Sequence, residues 1–195
     1  IVDRTPPTLQ VLNPPNKTYI SVNNMTLAVD ASDNLQVTMV RIYVNGTLMY
    51  EGEYRTSYLL SGLLEGANVI RIELLDVAHN SIEQTLVVYV DSKSPTLAII
   101  SPLDGETISG SNITVRWTSS SDTQKYYVRL DDNGWIYVGQ STEYTFVDVP
   151  SGNHVVYVMA VDAAGNRAVN AVVVTVVQGN NSSASGSRVL SLRGV

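Results

Sequence analysis

"HVVYVMAVDAAGN" (residues 154–166) reads as a β-strand rich in valine, closed by Asp162 and turned by Gly165-Asn166. The chain repeats the phrase 86 residues earlier as "NVIRIELLDVAHN" (68–80). In both places an Asp ends the strand and an Asn follows four residues later. A carboxylate there can accept N–H bonds across the turn, and Gly or Asn tolerates a left-handed φ. The expected turn set is therefore Asp76, Asn80, Asp162, Gly165 and Asn166, with a ligand role for the Asp as the alternative. His79 stands where the second phrase has Gly165, which argues against special chemistry at that position.

Working outward, the repeat extends over most of the chain, and a repeat must be found before local structure is assigned. "VDRTPPTLQVLNPPNKTYI" (2–20) aligns with "VDSKSPTLAIISPLDGETI" (90–108) at an offset of 88. Asp3 meets Asp91, Pro7 meets Pro95, Asn24 meets Asn112, and Val29 meets Trp117. "VRIYVNG" (40–46) is set against "VRLDDNG" (128–134) at that offset, after which a two-residue deletion gives the offset of 86. There Gly66 meets Gly152 and "TLVVYV" (85–90) meets "AVVVTV" (171–176). The expected domains are 1–90 and 91–178, followed by a polar tail, 179–195.

Each copy is all-β. "MTLAVDA" and "NITVRWT" alternate, placing Met25, Leu27 and Val29, and Ile113, Val115 and Trp117, on one face. Asn45-Gly46 and Asn133-Gly134 are each expected to form a two-residue hairpin turn, since both residues accept the positive φ of a type I′ turn. No stretch has apolar residues at helical spacing. About seven short strands per copy, with turn residues between them, predict two tandem β-sandwiches.

Composition narrows the function classes. A net charge of -6 argues against a nucleic-acid partner. No apolar run approaches the ~20 residues of a membrane helix. Absence of cysteine excludes disulfides and thiolate metal sites without fixing the compartment. The chain begins at Ile1 with no basic-then-apolar leader, as expected of a mature fragment.

"VDSKSPTLAIISPLDG", the Trp117 strand, "LDDNGW", "VPSGNHVVYVMAVDAAGN" and "AVVVTVV", with their counterparts "VDRTPPTLQVLNPPN", "GLLEGANVIRIELLDVAHN" and "LVVYV", resemble bacterial and archaeal immunoglobulin-like (fibronectin type III-like) domains of cell-surface and secreted proteins. The resemblance covers residues 2 to about 178 and implies Greek-key sandwiches, usually tandem and extracellular. Such modules serve as spacers, stalks, adhesins and enzyme appendages, so fold alone leaves the role open.

Candidate sites follow. No nucleophile elbow, phosphate loop or paired-His motif occurs, and no catalytic residue is expected. No cofactor is expected either, apart from calcium: Asp30, Asp33 and Asp91 are oxygen ligands grouped near the expected junction. Tyr127, Trp135 and Tyr137 are candidate ligand-facing aromatics, with Tyr144 weighed beside them, because sugars stack on flat rings. Sequons mark Asn16, Asn24, Asn112, Asn180 and Asn181 as glycosylation candidates, whereas Asn45 sits in a tight turn. "RVLSLRGV" (188–195) reads as a domain start, a strand for pairing with another subunit, or simply an end.

The expected function is a non-enzymatic extracellular spacer in a prokaryotic surface protein, such as an archaeal surface-layer component or stalk. The alternatives are a carbohydrate-binding or adhesive appendage of a secreted hydrolase, and a filament subunit assembled by strand addition. Expected partners are other domains or subunits of a surface assembly, or glycans, with no nucleic acid and no membrane segment in this chain.

Overall fold

The computed structural model describes residues 3–178, which contain sixteen β-strands and no helix. The first eight are β1 (Thr8–Asn13), β2 (Thr18–Ile20), β3 (Asn24–Ser32), β4 (Val37–Val44), β5 (Thr47–Gly52), β6 (Ser57–Ser61), β7 (Gly66–Asp76) and β8 (Ser81–Val90). They form a three-stranded sheet, β1-β3-β6, and a five-stranded sheet, β2-β8-β7-β4-β5. The next eight are β9 (Leu97–Ser101), β10 (Glu106–Ser109), β11 (Ile113–Ser119), β12 (Thr123–Leu130), β13 (Ile136–Gly139), β14 (Glu143–Phe146), β15 (Gly152–Asp162) and β16 (Arg167–Val177). They repeat the plan as β9-β11-β14 and β10-β16-β15-β12-β13. Pairing is antiparallel except for β2 with β8 and β10 with β16.

Each copy has eight strands where seven are expected, because its opening segment splits around proline. Pro14 and Pro102 cannot donate to a ladder. The chain leaves the small sheet there and rejoins along the edge of the large one as β2 or β10.

Two sandwich cores result. In the first, Leu27 and Val29 of β3 face Val40, Ile42, Ile70, Ile72 and Leu74 of the large sheet. In the second, Val115 and Trp117 of β11 meet Val128, Val156, Val158 and Ala160. Trp117 is buried and edge-on to Tyr126, with ring centroids 5.6 Å apart. The exchange of Val29 for Trp117 is balanced across the interface. Ile42, Ile70, Ile72 and Leu74 become Val128, Val156, Val158 and Ala160, each smaller, and close packing requires such a trade.

Strand register corrects the sequence alignment in one region. Ile42 pairs with Ile72 and Val128 with Val158, so the offset is already 86 in β4 and β12. Leu9 pairs with Ala31 and Leu97 with Ser119, which keeps 88 through β3 and β11. The two missing residues therefore come from the loop between these strands, which is longer in the first copy.

A second correction follows. Asn45 (φ +51°) and Gly46 (φ +81°) form a left-handed two-residue turn, as expected. Asn133-Gly134 does not; Asp131 takes the positive φ (+52°) instead. Asp131 makes the bonds that Asn45 makes in the first copy: its N–H donates to Val155 O and its Oδ1 accepts from Val155 N. Asn45 bonds Val69 in the same two ways. Side-chain anchoring to the neighbouring strand outweighs the local preference of Asn-Gly.

Candidate functional site

Asp76 and Asp162 end β7 and β15 as buried carboxylates. Asp162 Oδ1 accepts from Asn166 N (2.9 Å) and Oδ2 from Asn166 Nδ2 (2.8 Å). Asp76 holds Asn80 through the same two bonds, at 2.8 and 2.7 Å. His79 and Gly165 both adopt left-handed φ, +68° and +88°. Asn166 Nδ2 also donates to Asp91 O (2.7 Å), so the turn ties down the segment that leads into β9. That segment is gripped from the other side as well. Asp91 N donates to Ile20 O (2.9 Å), while the Glu65 carboxylate accepts from Ser92 N (3.2 Å) and Ser92 Oγ (3.0 Å).

The acidic residues group differently from the sequence expectation. Asp33 lies with Asp3 and Asp76, one oxygen of each falling within 4.8 Å of the others. Asp30 is exposed on β3 opposite Gln10, one place from inward-facing Val29 and so on the other side of the strand. Asp91 caps its own segment, with Oδ1 accepting from Lys93 N (3.2 Å). Asp3 and Asp76 were visible as residues shared by both copies. What sequence reasoning missed is that the longer β3–β4 loop carries Asp33 to them.

His154 Nδ1 lies 2.8 Å from Asp131 Oδ2, and Nε2 lies 2.9 Å from Pro150 O. The Asp131 hydrogen bond raises the imidazole pKa above its ordinary value; burial opposes this, and the Pro150 carbonyl adds to it. Burial raises the Asp131 pKa, but bonds from His154 and Val155 N outweigh that and leave it lowered. The geometry contains a His–Asp pair, yet a main-chain carbonyl occupies the place a nucleophile would need. His79, the other histidine, is exposed in its turn.

The aromatic candidates lie on or beside β12 and β13. Tyr127 and Tyr137 are register partners with centroids 5.4 Å apart, and Tyr137 is 63% exposed. Trp135 is 38% exposed and already engaged: the Arg129 guanidinium lies 4.9 Å from its ring and 4.1 Å from Tyr157. Beside them is a cavity of about 310 Å³ lined by Lys125, Tyr127, Trp135, Met159 and Arg167. Tyr144 belongs to the other sheet and packs on Phe146.

Of the sequon residues, Asn24 opens β3 and Asn112, its equivalent, directly precedes β11; both are exposed. Asn16 is exposed, with its Oδ1 accepting from Val87 N. Asn45 Nδ2 is committed to Asn68 Oδ1 (3.1 Å). Asn180, Asn181 and 188–195 lie outside the described residues. Among the described residues no helix is long and apolar enough to cross a membrane.

Comparison with known proteins supports the repeat independently. The family described as "Bacterial Ig domain" matches twice, at residues 7–72 and 95–158. No curated protein matches. Among solved structures, the fibronectin(III)-like modules of Clostridium thermocellum CbhA superpose with a TM-score of 0.64 at 19% identity, covering 88% of this chain and 95% of theirs. Three N-terminal domains of the bacteriophage RB49 outer capsid protein Hoc give 0.44 at 10% identity, covering 88% of this chain and 59% of theirs. The FN1–FN3 domains of chicken CNTN1 give 0.43 at 13% identity, covering 83% and 68%. With two matched stretches spanning more than half its length and a fibronectin(III)-like sandwich in each, the chain belongs to the bacterial Ig domain family.

Proposed function

We propose that residues 3–178 act as a stiff, non-enzymatic spacer in an extracellular or cell-surface protein, of the kind that builds a surface layer or stalk. The observation that carries this reading is the grip on Asp91 and Ser92. One lobe holds them through Ile20 and Glu65, and the other holds Asp91 through Asn166. A junction bonded on both sides has little of the freedom of a flexible linker. The two lobes divide into 1–90 and 91–178, and Asn24 and Asn112 carry glycans on the exposed strand starts.

A second reading, a glycan-binding module, is favoured by exposed Tyr137 beside Tyr127 and by Lys125 and Arg167 at the neighbouring cavity. NMR relaxation and a glycan array separate the two. The spacer predicts that both lobes tumble as one body, that Asn166→Ala with Glu65→Ala loosens them, and that no glycan binds saturably. Independent tumbling of the unaltered chain, or saturable binding lost in Tyr137→Ala, would overturn it.

A further inference from the structure

Asp3, Asp33 and Asp76 come from three segments: the stretch before β1, the β3–β4 loop, and the end of β7. Most of their oxygens are accounted for. Asp76 uses both on Asn80. Asp3 Oδ1 accepts from Thr5 N (3.0 Å) and Asn34 Nδ2 (3.2 Å), and Asp33 Oδ2 accepts from Leu35 N (2.9 Å). The two that remain, Asp3 Oδ2 and Asp33 Oδ1, are both shut away from solvent and have no hydrogen-bond partner among the described residues. No Lys, Arg or His among the described residues forms an ion pair with any of the three.

A carboxylate oxygen without water or donor is unfavourable, and three converging negative charges add repulsion. A bound cation would offset both costs. We propose that Asp3, Asp33 and Asp76 bind one divalent calcium ion. The donor set is oxygen only, which suits a hard cation and disfavours zinc or copper. A 4.8 Å spread is one that calcium bonds of about 2.4 Å can bridge, with carbonyl or water oxygens completing six to eight ligands, whereas magnesium demands a tighter octahedron. The ion fastens the segment before β1 to the β3–β4 loop and the end of β7.

The second copy is an internal control. Asp91 and Asp162 stand where Asp3 and Asp76 do, but its β11–β12 loop is shorter and Ser121 stands in place of Asp33. No third carboxylate joins them among the described residues. One ion per chain is therefore expected, in the first lobe alone. This site is independent of the spacer reading.

Calorimetric titration of the full chain with calcium chloride, after removal of metal with a chelator, tests it. One equivalent should bind, and calcium should raise the melting temperature. Asp33→Ser, which installs the second copy's residue, should weaken binding about tenfold or more, since ligand charge count sets calcium affinity. Asp3→Asn, in the segment outside the strands, should do the same, with circular dichroism showing both variants folded. Absence of binding up to about 10 mM calcium, beyond the weakest extracellular sites, would overturn the proposal. So would unchanged affinity in both variants, or equal affinity for magnesium.

Discussion

Asp162→Asn tests what the buried turn carboxylates contribute. The side chain is 3% exposed and accepts two bonds, from Asn166 N and from Asn166 Nδ2. An amide supplies one acceptor, so either orientation sets an N–H group against another N–H group. One charge-assisted bond is lost, worth about 1.5–3 kcal/mol, and the other falls to neutral strength, for a total near 3 kcal/mol. With a urea slope of about 2 kcal/mol/M, the midpoint should fall by roughly 1.5 M. Both tryptophans, Trp117 and Trp135, lie in the second copy, so tryptophan fluorescence reports that lobe alone. Asp76→Asn breaks the equivalent bonds in the first lobe and should move the circular dichroism transition while leaving fluorescence in place. The exchange Asp162→Asn with Asn166→Asp restores both bonds within the turn but turns a carboxylate toward Asp91 O. It should therefore recover only part of the loss. A fluorescence shift below about 0.3 M for Asp162→Asn would refute the assignment of the bonds as strong. An equal fluorescence shift for Asp76→Asn would refute separate folding of the lobes.

Three further outcomes are expected. Because the folded pKa of His154 is raised, its stabilisation is complete below the unfolded value near 6.5 and is lost as pH rises through the folded one; the lowered Asp131 contributes above 3.8 and fades as pH falls through its folded value. Fluorescence-detected urea midpoints should therefore decline on the alkaline side, and His154→Asn should remove that decline. Gly165→Ala should cost about 1 kcal/mol in a thermal melt through left-handed backbone strain alone, since a Cβ there meets nothing within 4 Å, and His79→Gly should stabilise the first lobe. Trp117→Val should cost about 3–5 kcal/mol, because the residues opposite are already small; Trp117→Phe should cost less, because the buried Nε1–H has no partner to lose; urea unfolding followed by circular dichroism measures both.

Much of the fold was legible because its signals are local. Period-two alternation in "MTLAVDA" and "NITVRWT" marks inward faces, and Met25, Leu27, Val29, Ile113, Val115 and Trp117 are all buried. The Asn133-Gly134 turn was misread because its geometry depends on Asp131 reaching across to His154 and Val155, contacts 23 and 24 residues away in sequence. The acidic cluster was hidden for a related reason. Asp3, Asp33 and Asp76 span the whole first copy, and only strand register reveals that the β3–β4 loop carries the two extra residues. Trp135 was a candidate ligand-facing aromatic in the sequence and is 38% exposed, but its engagement by Arg129 was not legible, since that depends on Tyr157 of a neighbouring strand.

The differences between the copies separate what the fold requires from what each lobe adds. Asp76 and Asp162 make the same bonds in both lobes, so they belong to the sandwich itself. The neutral pair Asn45–Asn68 is replaced by the titratable pair Asp131–His154 at the same place between strands. Among the described residues the first lobe alone has a third carboxylate, and the arginine–tyrosine stack is inverted, Arg71 over Tyr43 in the first lobe and Arg129 over Tyr157 in the second, where Trp135 adds a further ring. A spacer needs two lobes that fold and a junction that holds, and neither need explains these asymmetries. Differences in cation response and in pH response between the lobes should therefore follow the residues that differ. Transplanting Asp131 and His154 as Asn45→Asp with Asn68→His should transfer the alkaline decline in stability to the first lobe, read by circular dichroism. Failure to transfer it would mean that the pair depends on the second lobe's loop, including Pro150, and not on the shared strand positions.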